Sequence, residues 1–153
     1  MYTVIGSLKT RAIRVAWMLE ELGQPYTIEA IRPRDPAVAA LNPSGKVPVL
    51  KDGANVLLDS TAICQYLADK HGALTFPAGT IERAHQDSFT QFALDELDAT
   101  LWVAAKHTFV LPAELRVEAV KAACKFDFER ALVRHLDDAF PRHGDANPFK
   151  PTS

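Results

Sequence analysis

In the first seventy residues, short runs of strand character alternate with stretches of helical period, and that alternation constrains the fold more than any other feature. Residues 2–6 predict a strand and 7–10 a loop. Over 10–22, Ile13, Val15, Trp17, Leu19 and Leu22 mix with charges as in a helix, Gly23 supplies the stop, and Pro25 follows. Residues 25–31 predict a second strand, and 36–41 a short helix opened by Pro36. The apolar runs 47–50 and 56–58 flank Asp52-Gly53, a hairpin signal, so they are expected to be antiparallel neighbours. Ser60 predicts the N-cap of a helix over 61–71, with Ala62, Ile63, Tyr66 and Leu67 as its apolar stripe and Gly72 as its end. The order β-α-β-α-β-β-α specifies a small α/β sheet.

A linker over 72–80, "GALTFPAGT", separates this half from one with helical signals only. One helix is expected over 81–107 and a second over 112–139. The stretch "FPRHGDANPFKPTS" has three prolines and no period, which predicts irregular structure. The expected division is an α/β domain over 1–75, a helical domain over 81–140 and an irregular tail over 141–153.

With 48% hydrophobic and 24% charged residues the composition is that of a globular chain, and a net charge of −2 offers no footprint for nucleic acid or an anionic membrane. No apolar run approaches membrane-spanning length, and the N-terminus enters a strand with no leader pattern. Cys64 and Cys124 form no CxxC motif. They are expected to be buried, unpaired thiols in a reducing cytoplasm. The histidines, His71, His85, His107, His135 and His143, lack metal-ligand spacing and are expected at the surface, with no metal bound.

Pro48 interrupts the run "VPVL". Lacking an N–H, it belongs at a strand's edge or first residue, so from the residues alone it is an edge-strand proline. Its surroundings add more. "SLKTRAIRVAWMLEELG" (7–23), "NPSGKVPVL" (42–50) and "DSTAICQYL" (59–67) resemble, in order and spacing, three motifs of the cytosolic glutathione S-transferases. They correspond to the catalytic loop with its first helix, the loop along the glutathione backbone, and the helix start that holds the γ-glutamyl group.

The resemblance implies a thioredoxin-like α/β N-terminal domain followed by an all-helical one, with glutathione as co-substrate. It implies a cis Pro48, which leaves the Val47 N–H and C=O to clamp the cysteinyl segment as an added strand would. Asp59 would take the glutamyl amino group. The Ser60 hydroxyl and N–H would hold its carboxylate at a helix N-terminus. Lys46 would face the glycine carboxylate, or remain a solvated loop lysine. Asn42 is expected to shape the turn.

The chemistry requires a thiolate. A thiol with pKa near ~8.5 is only ~3% ionised at pH 7, and lowering that pKa by about two costs about 2.7 kcal/mol. One hydrogen bond to a charged group contributes ~1.5–3 kcal/mol and a helix N-terminus ~0.3–1 kcal/mol, so one hydroxyl and one helix end suffice. The resemblance assigns that hydroxyl to Ser7, directly after the first strand and four residues before Arg11. Thr10 is the alternative donor or the helix N-cap, and Ser7 itself could merely cap a turn. Tyr2 lies too early for a tyrosine mechanism, and a serine where thiol–disulfide relatives carry cysteine disfavours exchange chemistry.

Asp95 and Asp98, three apart on the long helix, are expected on one face. They are either solvated or, as the family resemblance implies, reach a partner subunit's glutathione in a homodimer. Arg11 and Arg14 are expected in structural ion pairs. After 153 residues the sequence stops short of the family's later helices, so the helical half is expected to be truncated. Two functions follow from this. One is a serine-type transferase that conjugates glutathione to a small electrophile. The other is a non-catalytic binding module or inactive product.

Overall fold

The structure, a computed structural model, describes residues 1–139 of the 153, with side-chain surroundings given through Val133. The expected tail over 141–153, and the side chains of His135 and His143, lie outside the described residues. The chain divides into two compact units, Met1–Ala84 and a second that starts at His85.

The first unit is built on a four-stranded sheet in the order β2-β1-β3-β4, with β1 Tyr2–Ile5, β2 Tyr26–Glu29, β3 Val49–Asp52 and β4 Asn55–Leu58. β2 runs parallel to β1 through the crossover helix α1, Ala12–Glu21. β4 is antiparallel to β3, as the Asp-Gly hairpin requires, and β3 is antiparallel to β1. Side chains alternate across a strand, so Val4 and Leu50 face one side and Ile5 and Val49 the other. Val4 and Leu50 join Val15 and Leu19 of α1 and Ile63 and Leu67 of α3, Ser60–His71, in the larger core. Ile5 and Val49 join Val38 of α2, Pro36–Ala39, in a smaller core on the other face. Each of these fully buried aliphatic side chains contributes about 1.5–3 kcal/mol.

Several boundaries differ from the sequence expectation, each for a local reason. The third strand starts at Val49, because Pro48 can donate nothing to the ladder and the Val47–Pro48 peptide is cis. α1 starts at Ala12, since Thr10 and Arg11 form the preceding turn. On α1, Val15 and Leu19 are buried, but Ile13 and Trp17 are exposed, and the Trp17 indole N–H donates to Glu21 Oε1 at 2.8 Å. The N-cap of α3 is Asp59 and not Ser60. Asp59 Oδ1 accepts from the N–H groups of Thr61 (2.9 Å) and Ala62 (3.2 Å). Ala62, expected in the α3 stripe, is exposed.

The cysteines are half-buried and unpaired, where full burial was expected. Two histidines are not free surface groups. His71 is half-buried, with Nε2 2.9 Å from the Tyr2 hydroxyl, and His107 Nδ1 accepts from the Val117 N–H at 3.1 Å.

The single helix expected over 81–107 starts as α4, Ile81–Phe92, passes through π-helical turns at Ala93–Ala99, becomes α5, Thr100–Ala105, and ends in a second π segment, Lys106–Val110. A 3-10 turn at Ala113–Leu115 precedes α6, Glu118–Ala139, so the second helix starts later than its proline suggested. α5 packs on α6. Among the described residues of the second unit only Ala131 is a fully buried apolar residue, while Phe109 and Phe126 are 67% and 63% exposed. Among the described residues no helix is long and apolar enough to cross a membrane.

Candidate functional site

One cross-strand row organises the end of the sheet: Glu29 pairs with Ile5, Ile5 with Val49, and Val49 with Leu58. The residues one or two beyond that row therefore leave the same end. They are Gly6-Ser7 from β1, Val47-Pro48 from β3 and Asp59-Ser60 from β4. The hairpin and the crossover thus gather three sequence-distant motifs within one short arc.

Gly6 makes the close approach possible. Its φ is +131°, and a Cβ there would stand 3.0 Å from both the Ala12 and Val47 Cβ atoms. An L side chain would be strained at that φ and crowded by both neighbours. Ser7 follows, half-buried. Its Oγ accepts the Lys9 N–H at 3.2 Å, which leaves the hydroxyl proton uncommitted among the described residues. The Thr10 hydroxyl is different. It donates to the Ser7 carbonyl at 2.6 Å and accepts from the Ala12 N–H at 3.3 Å, so its proton is spent inside the 7–10 turn; the N-cap of α1 is Arg11, with no side-chain cap bond, and not Thr10.

Asn42 holds the second motif. It is buried, its Nδ2 donates to the Lys46 carbonyl at 2.8 Å, and its Oδ1 accepts from the Ser44 N–H and hydroxyl at 3.1 and 2.9 Å. The turn is thereby fixed in the way expected of Asn42. Pro48 is buried and Val47 half-buried, and no described residue hydrogen-bonds the Val47 amide or carbonyl. The Lys46 side chain is exposed.

At the third motif Asp59 has φ +69° and ψ +125°, a positive-φ backbone outside the left-handed helical region and uncommon for a non-glycine residue. Its carboxylate caps α3 and its carbonyl accepts from the Ile63 N–H at 2.9 Å. Ser60 is 3% exposed, and its Oγ accepts from Arg14 Nη1 at 3.3 Å. The Cys64 thiol, one turn on, donates to the Arg14 carbonyl at 3.6 Å. Burial pushes that thiol up to about 11, the Arg14 charge opposing and the Asp59 charge assisting the rise.

Asp95 and Asp98 fall in the π-helical stretch. Its i→i+5 bonding places more residues in each turn than 3.6, so a spacing of three no longer stacks side chains on one face. Asp95 is exposed and Asp98 half-buried. Asp95 also borders a surface groove of about 420 Å³ lined by Gln91, Phe92, Leu94 and Glu96. Sequence reasoning missed Gly6 and the reach of Arg14 to Ser60. The φ of Gly6 had a weak signal, a glycine ending a strand. The Arg14 contact spans 46 residues and had none.

Comparison with known proteins agrees with this geometry. A family profile for the glutathione S-transferase N-terminal domain matches residues 10–75. Glutathione S-transferase 3 of Schizosaccharomyces pombe is 39% identical over 74 residues, which are 45% of this chain and 31% of that protein. A probable elongation factor 1-gamma 2 of Arabidopsis thaliana is 35% identical over 109 residues, 67% of this chain and 25% of that one. The matched part thus spans about a third or less of these relatives. Among solved structures, a theta class glutathione S-transferase from Xanthomonas axonopodis pv. citri, with glutathione bound, superposes with a TM-score of 0.72. That match has 31% identity and covers 90% of this chain and 69% of that one.

A mixed four-stranded sheet flanked by helices, with a cis-proline entering its third strand and a helical segment after it, is a thioredoxin-like fold of the glutathione-transferase kind. The chain belongs to the glutathione S-transferase superfamily.

Proposed function

We propose that this chain binds glutathione at the end of its sheet, holds the thiol as thiolate with the Ser7 hydroxyl, and transfers it to a small electrophile. The thiol proton leaves to water. The sulfur then forms a bond to the electrophilic carbon, and a leaving group departs with its electron pair. The observation that carries this reading is the uncommitted Ser7 proton at the end of the sheet from which Val47 and Ser60 also emerge. Val47 clamps the cysteinyl backbone beside Pro48. Ser60 receives the γ-glutamyl carboxylate, Asp59 receives the amino group, and Lys46 faces the glycine carboxylate. Thr10 serves the fold and not the thiolate, because its proton already binds the Ser7 carbonyl. In this reading residues 1–75 are the glutathione domain and 81–140 the helical domain of a cytoplasmic homodimer. Asp95 or Asp98 then reaches the partner's glutathione.

A thermal melt with and without millimolar reduced glutathione tests binding. A hundredfold excess over Kd adds ~2.7 kcal/mol, at roughly 2–4 °C per kcal/mol for a chain of this size. An upward shift followed by conjugation of an activated aryl halide supports the transferase reading. A cooperative melt that glutathione does not move removes it.

A second reading has its own support in the match to an elongation-factor subunit, which runs over more of this chain than the transferase match from yeast. In that reading the fold serves as a non-catalytic binding module. A glutathione-induced shift without turnover, unchanged by Ser7→Ala, would favour it.

A further inference from the structure

We infer that Arg14 is a positioning residue for the glutathione site, acting through Ser60. The inference rests on the glutathione reading above and concerns how that site selects its ligand's carboxylate.

The first N–H groups of a helix have no partner within it. At the start of α3 Asp59 Oδ1 takes those of Thr61 and Ala62, and the Asp59 carbonyl takes that of Ile63. Among the described residues, the donors left for a ligand are the Ser60 N–H and the Ser60 hydroxyl. Recognition is concentrated on one residue.

A serine hydroxyl has one proton to donate, two lone pairs and a freely turning bond. Arg14 Nη1, donating to Ser60 Oγ at 3.3 Å, occupies a lone pair and so turns the proton away from α1. Ser60 is 97% buried by the surrounding protein, and this contact fixes its rotamer. The Arg14 carbonyl in turn accepts from the Cys64 thiol, which ties the same stretch of α1 to the first turns of α3. The guanidinium charge therefore stands beside the positive end of the helix dipole. The Asp59 carboxylate already caps that helix end, so the guanidinium is the charge that favours a second anion at Ser60. A carboxylate meeting Ser60 finds an N–H and an O–H pre-aimed, with a fixed cation behind the hydroxyl.

The test is a double-mutant cycle read by calorimetric titration. Arg14→Gln, Arg14→Lys, Ser60→Ala and Arg14→Gln/Ser60→Ala are compared for reduced glutathione and for the analogue whose γ-glutamyl group lacks its α-carboxylate. Cooperative melts confirm that each variant is folded. Arg14→Gln is expected to weaken glutathione by about tenfold, equivalent to about 1.4 kcal/mol, and to leave the analogue unchanged. Arg14→Lys recovers part of the loss through its charge. In the Ser60→Ala background Arg14→Gln costs no more than twofold. Equal losses for both ligands, or losses that multiply across the two sites, overturn the inference while leaving glutathione binding intact. No binding by the parent chain overturns the glutathione reading and the inference together.

Discussion

The guanidinium of Arg83 grips the carboxylate of Asp69 through two parallel bonds, Nη1 to Oδ1 at 2.7 Å and Nη2 to Oδ2 at 3.2 Å. Nη1 also donates to Thr75 Oγ1 at 3.2 Å and to the Phe76 carbonyl at 3.1 Å. One side chain at the start of α4 thus fastens the end of α3 and the linker between them. Arg83 is itself 7% exposed, while its acceptors Asp69 and Phe76 are exposed and Thr75 is half-buried, so its removal costs the buried fork and its packing and leaves acceptors that water can reach. Arg83→Ala is expected to cost about 2–3 kcal/mol, within the range for hydrogen bonds to charged groups. Arg83→Lys recovers little, because an ammonium cannot reproduce the fork. Asp69 is itself 45% exposed, so Asp69→Asn costs less, about 1 kcal/mol. Thermal melts of the three variants give the order.

Acid sensitivity follows from two carboxylates. The Lys70 ammonium and then the Tyr66 hydroxyl, donating at 2.6 Å, hold Asp52 below its ordinary range. The Arg83 guanidinium does the same for Asp69. A group with a depressed folded pKa adds stability that is fully present above its unfolded value, near ~3.9, and is lost as pH falls through the folded one. Stability is therefore expected to be flat from neutrality to about pH 5 and to fall below about pH 4. Asp52→Asn and Asp69→Asn should each reduce the slope of that acid limb in urea titrations at stepped pH. An unchanged slope in both would show that other groups drive acid unfolding.

Gly6 carries a steric prediction. A Cβ on it would meet two other Cβ atoms at 3.0 Å, on a backbone at φ +131°. Neither neighbour is the free end of a flexible side chain, so the strain has to move β1 away from Val47. Gly6→Ala is expected to destabilise by about 1–3 kcal/mol. Because Val47 moves, it should also abolish the glutathione-induced rise in melting temperature. Retention of that rise would mean that the Val47 backbone is not part of the ligand clamp.

How much of this was readable in the chain depends on distance along it. The strands and helices of the first seventy residues show their periods plainly, and Asp52-Gly53 announces the hairpin. Asp59-Ser60 shows where such reading stops. Both residues are good caps, and the choice between them turns on a backbone φ of +69° that only the packed β4–α3 junction sets. The π-helical turns around Asp95 and Asp98 leave no mark, because the residues there are ordinary helix formers. Contacts between distant residues are silent in one sequence. Arg14 to Ser60 and Tyr2 to His71 lie 46 and 69 residues apart, and the second turned a presumed surface histidine into a packed group.

Cys64 offers a chemical probe of the α1–α3 contact. With its thiol pushed up to about 11, far less of it is thiolate at pH 8 than of an ordinary cysteine near ~8.5, by about two orders of magnitude. A more basic thiolate is a better nucleophile, which returns about one order. Alkylation of Cys64 in the folded chain is therefore expected to be about tenfold slower, or slower still, than in the urea-unfolded chain. Iodoacetamide time courses followed by peptide mass spectrometry measure both. Equal rates would mean that the helix pair opens readily.

Ser7 and Thr10 should separate function from fold. The Thr10 hydroxyl donates to the Ser7 carbonyl and accepts the Ala12 N–H, while the Ser7 Oγ only accepts, from Lys9. Thr10→Ala is expected to cost about 1 kcal/mol of stability, as loss of a turn hydrogen bond does, with the conjugation rate little changed. Ser7→Ala should leave the melting temperature within a few degrees and lower kcat/KM by about 10- to 100-fold, the kinetic worth of ~1.5–3 kcal/mol. The two variants also part in pH dependence. Without the Ser7 proton, the rise of the pH–rate profile should move up toward the free-thiol value near ~8.5, because the thiolate has lost its donor. With Thr10→Ala the profile should stay in place. The reverse pattern, with the profile moved by Thr10→Ala and not by Ser7→Ala, would transfer the thiolate-stabilising role to Thr10.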